Sequence, residues 1–257
     1  KEIIYFISDE LISYCEKNEL FYSSSITSNG YLLDGETQDN LLKRKVTVFQ
    51  ITVDGTKEIH NRNRPLKNGK GTWDVIIKNL ETLKSNEALY SVRLRTNYSY
   101  DTYLSVDDYL TEMKERFNDD RFHFHFMRIN APNDKDIGIE TIDTESDKSV
   151  IGMNIDSFNE HNLGLDVYAL NYSPCGGVCY ARRGNVFAID TDGSILKCTE
   201  YLDHENNKIG TITKGVFDLD FVKNARWLNP DPRILVKKGC YDCFDFPSCY
   251  AGICPAA

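Results

Sequence analysis

The sequence predicts an α/β protein in two parts. A partial parallel (β/α) barrel covers residues 1–170, and a small cysteine-rich α+β domain with a β-hairpin covers 171–257. Three observations predict it. Strand-like and helix-like segments alternate through the first part at the spacing of right-handed β-α-β units. The composition changes at Tyr172-Ser173-Pro174-Cys175, and seven of the eight cysteines lie beyond residue 170.

The elements follow in order. Ile3, Ile4, Ile7, Leu11, Ile12 and Cys15 recur at steps of three and four, which predicts an amphipathic helix with one buried stripe. Leu20 to Ile26 reads as a strand running into a turn at Thr27-Ser28-Asn29-Gly30, and a short helix follows near Thr37 to Arg44. Lys45 to Val53 is rich in β-branched residues and predicts a buried strand. Residues 54–71 read as a polar loop, with Thr72 as N-cap of a helix from Asp74 to Ser85. Ala88 to Asn97 reads as strand, Val106 to Phe117 as helix and Arg121 to Ile129 as strand. A helix near Asp147 to Asn162 and a short strand from Leu165 to Leu170 end the first part. These are four strand-plus-helix repeats, half to two-thirds of a complete barrel. In the second part, Asn185 to Ile189 and Ser194 to Lys197 flank a turn containing Gly193, a hairpin. Val216 to Trp227 reads as helix, and the tail is a cysteine-rich loop.

The bulk properties exclude several classes. Hydrophobic residues make up 41% and charged residues 27%, an ordinary globular balance. No stretch approaches the ~20 apolar residues of a membrane span. A net charge of −9 argues against nucleic acid or an anionic membrane as partner. The chain begins Lys1-Glu2-Ile3-Ile4, without a signal-peptide pattern and inside a helical repeat, so a piece of a longer protein is expected. Without a secretion signal, a cytoplasmic, reducing location is expected, where clustered cysteines bind metal.

Cys15 stands alone on its helix, whereas Cys175, Cys179, Cys198, Cys240, Cys243, Cys249 and Cys254 cluster. Cys175 and Cys179 form one close pair, Cys240 and Cys243 another, and Gly193 places a turn just before Cys198. Converging pairs from loops are what thiolate ligation of a metal needs. Seven cannot all pair as disulfides. A single zinc site with spare thiols is the alternative to iron–sulfur ligation.

The run from Cys179 through Gly193 and Cys198 to Cys240-x2-Cys243-x5-Cys249 and Cys254 resembles the SPASM domain, which follows a radical S-adenosylmethionine (radical SAM) barrel. Upstream, Ser24–Leu33 (SSITSNGYLL) is similar to the family's third barrel strand and its Asn-Gly turn. Ile51–Leu80 is similar to its strand ending in Ser/Thr-x-Asp-Gly, followed by His, Arg and a Gly-rich helix entry. The resemblance implies two auxiliary 4Fe–4S clusters, one on Cys175, Cys179, Cys198 and Cys254, the other on Cys240, Cys243 and Cys249 with a fourth ligand not identified. It implies a catalytic 4Fe–4S cluster on a Cys-x3-Cys-x2-Cys motif that these 257 residues do not contain, and bound S-adenosylmethionine as source of a 5′-deoxyadenosyl radical. It also implies a peptide or protein substrate and an external electron donor such as a flavodoxin or ferredoxin.

By position, Thr52 and Asn29 are candidates for S-adenosylmethionine contacts, or are simply a strand and a turn residue. Arg64 is a candidate for bidentate binding of a carboxylate, or for a loop salt bridge. His123 and His125 alternate with Phe122, Phe124 and Phe126, so they face either substrate or a wet lumen. Within the family, ribosomal-peptide maturases forming thioether or carbon–carbon crosslinks fit better than the branch that oxidises a cysteine or serine of sulfatases. That branch carries Asp after the cysteine equivalent to Cys198, and here the residue is Thr199. A non-catalytic metal-binding or interaction module is the third reading.

Overall fold

Four parallel strands lie side by side in chain order, β1 (Ser24–Ser28), β2 (Val46–Thr52), β3 (Ser91–Tyr98) and β4 (Phe122–Arg128). Sequence-adjacent strands that are parallel require crossovers, and helices supply them. The computed structural model describes residues 1–129, 160, 161, 163, 179–199, 202–228, 232–237 and 239–242. The chain divides into two compact units, Lys1–Ala169 and Leu170–Ala257.

In the first unit the helices are α1 (Glu2–Lys17), α2 (Gly35–Lys43), α3 (Lys57–Asn63), α4 (Trp73–Lys84), α5 (Tyr100–Leu104) and α6 (Val106–Phe117). The strands alternate as their sequence dictates. Phe49, Ile51, Val92, Leu94 and Phe124 are fully buried against Ile76, Leu80 and Leu83 of α4 and Tyr109, Leu110 and Met113 of α6. Phe117 stacks on Phe122 with ring centroids 5.0 Å apart. Each such side chain contributes roughly 1.5–3 kcal/mol by burial. The opposite face of the sheet is polar. Register sets Gln50 beside Arg93 beside His123, and Thr52 beside Arg95 beside His125.

The second unit carries an antiparallel sheet in chain order: β5 (Ala188–Ile189), β6 (Ser194–Leu196), β7 (Lys208–Thr213) and β8 (Val216–Leu219). Two helices follow, α7 (Phe221–Leu228) and α8 (Pro232–Lys237). Ala181, Ile195, Cys198, Ile209 and Trp227 form its core. The Gly193 turn exists as expected, and a Cβ there would stand 2.6 Å from the Ile212 carbonyl oxygen.

Several expectations are corrected. The apolar stripe of α1 is not buried: Ile3 is 74% exposed and Ile7 50%, and Ser8 is the buried residue. The helix docks through Tyr5 instead, over which the Arg44 guanidinium lies 4.5 Å from the ring centre, and through Arg44–Asp9 and Lys45–Glu16 ion pairs. The polar stretch 54–71 contains α3, drawn in by buried Ile59 and His60. Thr72 occupies the N-cap position of α4 but does not cap it; Asn61 Oδ1 accepts from the amides of Thr72 and Trp73 at 2.9 and 3.0 Å. The helix expected from Val216 begins only at Phe221. Lys214 and Gly215, with φ of +49° and +78°, turn the chain tightly from β7 into β8. The strand β1 extends to Ser28, into the expected turn. The expected strand 165–170, and all of the expected helix 147–162 except Glu160 and His161, lie outside the described residues.

Candidate functional site

The carboxyl ends of parallel strands are where α/β folds assemble binding sites. Here that edge is organised by one buried carboxylate. Asp54 follows β2 directly and is 3% exposed. Its Oδ1 accepts from the backbone amide of Asn97 at 2.9 Å and from Asn97 Nδ2 at 3.1 Å, tying β2 to the end of β3. Its Oδ2 accepts from Arg64 Nε. Asn97 Oδ1 in turn accepts from Arg95 Nε at 2.9 Å. Two guanidiniums are thus oriented through one carboxylate and one amide.

His60 buttresses this arrangement from α3. The Asp54 amide donates to His60 Nδ1 at 3.1 Å, so that nitrogen must be unprotonated. Nε2 then carries the proton and donates to Thr72 Oγ1 at 3.1 Å, which donates to the Arg64 carbonyl at 2.8 Å. Burial pushes the imidazole down to about 4, against the pull of the Asp54 carboxylate. The ring is therefore a neutral strut.

Between the β1 end and the loop after α3 lies a cavity of about 390 Å³, lined by Asn29, Tyr31, Leu32, Arg64, Pro65, Leu66, Thr72 and Ile76. Gly30 lies in the chain between the lining residues Asn29 and Tyr31: with φ of +76°, a Cβ there would meet Ile51 Cγ2 at 2.8 Å. Asn29 Oδ1 accepts from the Tyr31 amide at 3.1 Å, which fixes the turn. The volume falls in the range of small-molecule sites. Asn29 and Arg64 therefore line one cavity. Thr52 does not line it; it is buried on the polar sheet face, in register with Arg95. Arg64 also makes the loop salt bridge that its sequence position allowed, with Asp54. The residues fit S-adenosylmethionine in kind: a guanidinium for its carboxylate and an aromatic ring and apolar side chains for its adenosyl part.

In the second unit, Cys179 is exposed and Cys198 is buried. Asn207 holds the segment around Cys198. Its Oδ1 accepts from the amides of Lys197 and Cys198 at 3.1 and 2.8 Å, and its Nδ2 donates to the Cys198 carbonyl at 2.8 Å. Lys197 is buried, its ammonium donating to the carbonyls of Arg183 and Val186 at 2.8 and 2.9 Å. Tyr180, next after Cys179, reaches Cys198 Sγ at 3.8 Å, so the two cysteine segments converge. That convergence fits shared ligation. Cys175, Cys243, Cys249 and Cys254, and the side chain of Cys240, lie outside the described residues. Sequence reasoning passed over Asp54, Asn97 and Asn207; the strand-terminal Asp-Gly was the visible signal for the first.

The first unit is an α/β sheet of parallel strands joined by helical crossovers, with one polar face, and the chain is similar to proteins of known sequence and known fold. No family model matches the chain. A cysteine-type anaerobic sulfatase-maturating enzyme of Clostridium novyi (strain NT) is 26% identical over 247 residues, covering 91% of this chain. The chain spans 63% of the length of that relative. Among solved structures, anSMEcpe with bound AdoMet and Cp18Cys peptide is similar with a TM-score of 0.66 and 17% identity, over 94% of this chain and 69% of that one. Streptococcus suis SuiB bound to precursor peptide SuiA is similar with a TM-score of 0.57 and 16% identity, over 95% and 56%. Both likenesses are likenesses of fold. Among the described residues no helix is long and apolar enough to cross a membrane.

Proposed function

We propose that the chain is the barrel-and-cluster portion of a radical SAM enzyme that modifies a peptide or protein. The observation that carries this is the Asp54-centred network at the sheet's carboxyl edge, which orients Arg64 beside the Asn29 cavity. In this reading Arg64 meets the carboxylate of S-adenosylmethionine with its terminal nitrogens while Asp54 holds Nε, and Asn29 contributes a further contact from the same cavity; Thr52, which does not line that cavity, is left as a residue of the polar sheet face. The catalytic cluster and S-adenosylmethionine together supply a carbon radical for hydrogen abstraction. The chain's own residues orient the cofactor and exclude water. The first auxiliary cluster takes Cys175, Cys179, Cys198 and Cys254, and the second Cys240, Cys243 and Cys249. An external flavodoxin or ferredoxin supplies electrons.

Thr199 favours a crosslinking ribosomal-peptide maturase, because no carboxylate follows Cys198. The identity to a sulfatase-maturating enzyme favours the alternative, oxidation of a substrate cysteine. Anaerobic incubation of the full-length protein with reductant, S-adenosylmethionine and each class of peptide tests both. Formation of 5′-deoxyadenosine supports the enzyme reading, and its absence with iron-loaded protein refutes it. A peptide product that keeps its sulfur and loses two hydrogens identifies the crosslinker; loss of the cysteine sulfur identifies the sulfatase type. An iron-free protein with bound zinc would refute the cluster assignment.

A further inference from the structure

Tyr180 joins the Cys179 segment to Cys198 and Thr199 through its hydroxyl. Its hydroxyl oxygen accepts from the Thr199 amide at 2.9 Å, lies 2.7 Å from Thr199 Oγ1 and 3.8 Å from Cys198 Sγ. A phenol has one proton to give and two lone pairs to fill. If Thr199 Oγ1 donates, both acceptor positions are filled and the phenol proton is left for the sulfur. If the phenol donates to Thr199 Oγ1, the sulfur receives no proton from Tyr180. An anionic thiolate decides between them, because a charge-assisted hydrogen bond outweighs a neutral one.

We propose that Tyr180 donates a hydrogen bond to the Cys198 thiolate when that sulfur ligates the first auxiliary cluster, and that Thr199 permits this by acting as donor. Tyr180 is then a positioning and tuning residue, and the proposal rests on the cluster reading above. Hydrogen bonds to cluster sulfurs stabilise the more negative, reduced state and raise the reduction potential. The identity of residue 199 becomes a switch. Threonine gives its proton to the phenol, whereas an aspartate can only accept, and would draw the phenol proton away from the sulfur. A sequence difference of one residue beside the cluster would thus set its potential as well as removing a carboxylate from the site.

The test is the midpoint potential of the auxiliary cluster in the full-length, anaerobically assembled enzyme, followed by electron paramagnetic resonance, with iron and sulfide counted in each variant. Tyr180→Phe is expected to keep the iron and shift the midpoint to a more negative value. Thr199→Asp is expected to shift it in the same direction with the tyrosine intact, and by a larger amount than in the Tyr180→Phe background, where only the added charge acts; equal shifts in the two backgrounds would overturn the switch role of residue 199. Thr199→Val, which keeps the backbone amide and leaves the phenol proton to the sulfur, should leave the midpoint in place. An unmoved midpoint in Tyr180→Phe at full iron content overturns the proposal, as does loss of the cluster in that variant, which would make Tyr180 a requirement of assembly. Wild-type protein without iron and sulfide overturns the underlying reading instead, and the metal count tells the two apart.

Discussion

Replacing His60 by Gln should flatten the acid limb of the stability curve of the first unit. His60 is fully buried, and burial takes its ring from the ordinary value of 6.5 down to about 4. The sign follows from proton counts. Above pH 6.5 the ring is neutral folded and unfolded, and the stability it supports is complete. Between 6.5 and 4 the unfolded chain binds a proton that the folded chain refuses, so stability falls as pH falls. At about 1.4 kcal/mol for each pH unit, the interval amounts to about 3 kcal/mol. Asp119, held near 2 chiefly by its hydrogen bond with Arg121, titrates below this window. The other four histidines are the same in both proteins and cancel in the comparison. The assay is urea unfolding from pH 7.5 to 4 in a Trp227→Phe background, which leaves Trp73, beside Thr72, as the only tryptophan. His60→Gln should be less stable at pH 7.5, because the Asp54 amide and Thr72 lose their shared partner, yet lose less on acidification. Parallel curves for the two proteins would refute the neutral-strut assignment.

Asp54→Asn should weaken S-adenosylmethionine binding about tenfold by calorimetry, because an amide with a single oxygen cannot accept from both Asn97 and Arg64 and so lets Arg64 out of position, and unchanged affinity would detach Asp54 from the site; removal of one partner of a well-bonded pair costs more than 1 kcal/mol. Asn207→Ala should destabilise the second unit by about 2–4 kcal/mol in thermal denaturation, since two buried amides lose their acceptor at about 1–3 kcal/mol each. Gly210→Ala should disrupt the β7–β8 ladder, since its Cβ would stand 2.2 Å from the Asp218 carbonyl oxygen. Gly184→Ala, with open space around it, should leave circular dichroism and melting unchanged.

The parallel sheet was legible because its strands carry their period in plain residues. Phe122-His123-Phe124-His125 alternates and is observed to alternate, and α6 spans the expected Val106–Phe117. What the sequence hid had tertiary causes. The α1 periodicity is real, but the contacts that seat the helix come from Arg44 and Lys45, distant in sequence, so the buried face could not be read from α1 alone. The helix α3 hides in a polar stretch because the residue it buries most completely is a histidine. Val216–Leu219 pairs as a strand because Lys214-Gly215 takes positive φ at both positions, a turn that outweighs the helical spacing beyond it. At the site, chemistry-bearing residues were visible singly, but the links between them were not. Nothing in the spacing of Asp54, Arg64 and Asn97 says that one carboxylate serves both others.

That shared carboxylate bears on how the site tolerates change. Asp54 is held by backbone and side chain of Asn97, by Arg64, and from behind by a histidine whose own tautomer its amide dictates. Each of the three partners comes from a different place: Asn97 from the end of β3, His60 from α3, and Arg64 from the loop after α3. A group satisfied from so many directions has little freedom to relax, so loss of one partner displaces the others, and the interactions add up non-independently. The cavity beside Asn29 inherits that rigidity through Arg64, and in the proposed reading a ligand carboxylate would meet a guanidinium already held in place. A site prepared in this way loses less to ordering on binding. It is the requirement expected of a cofactor whose reactive atom must meet a substrate hydrogen in one geometry only.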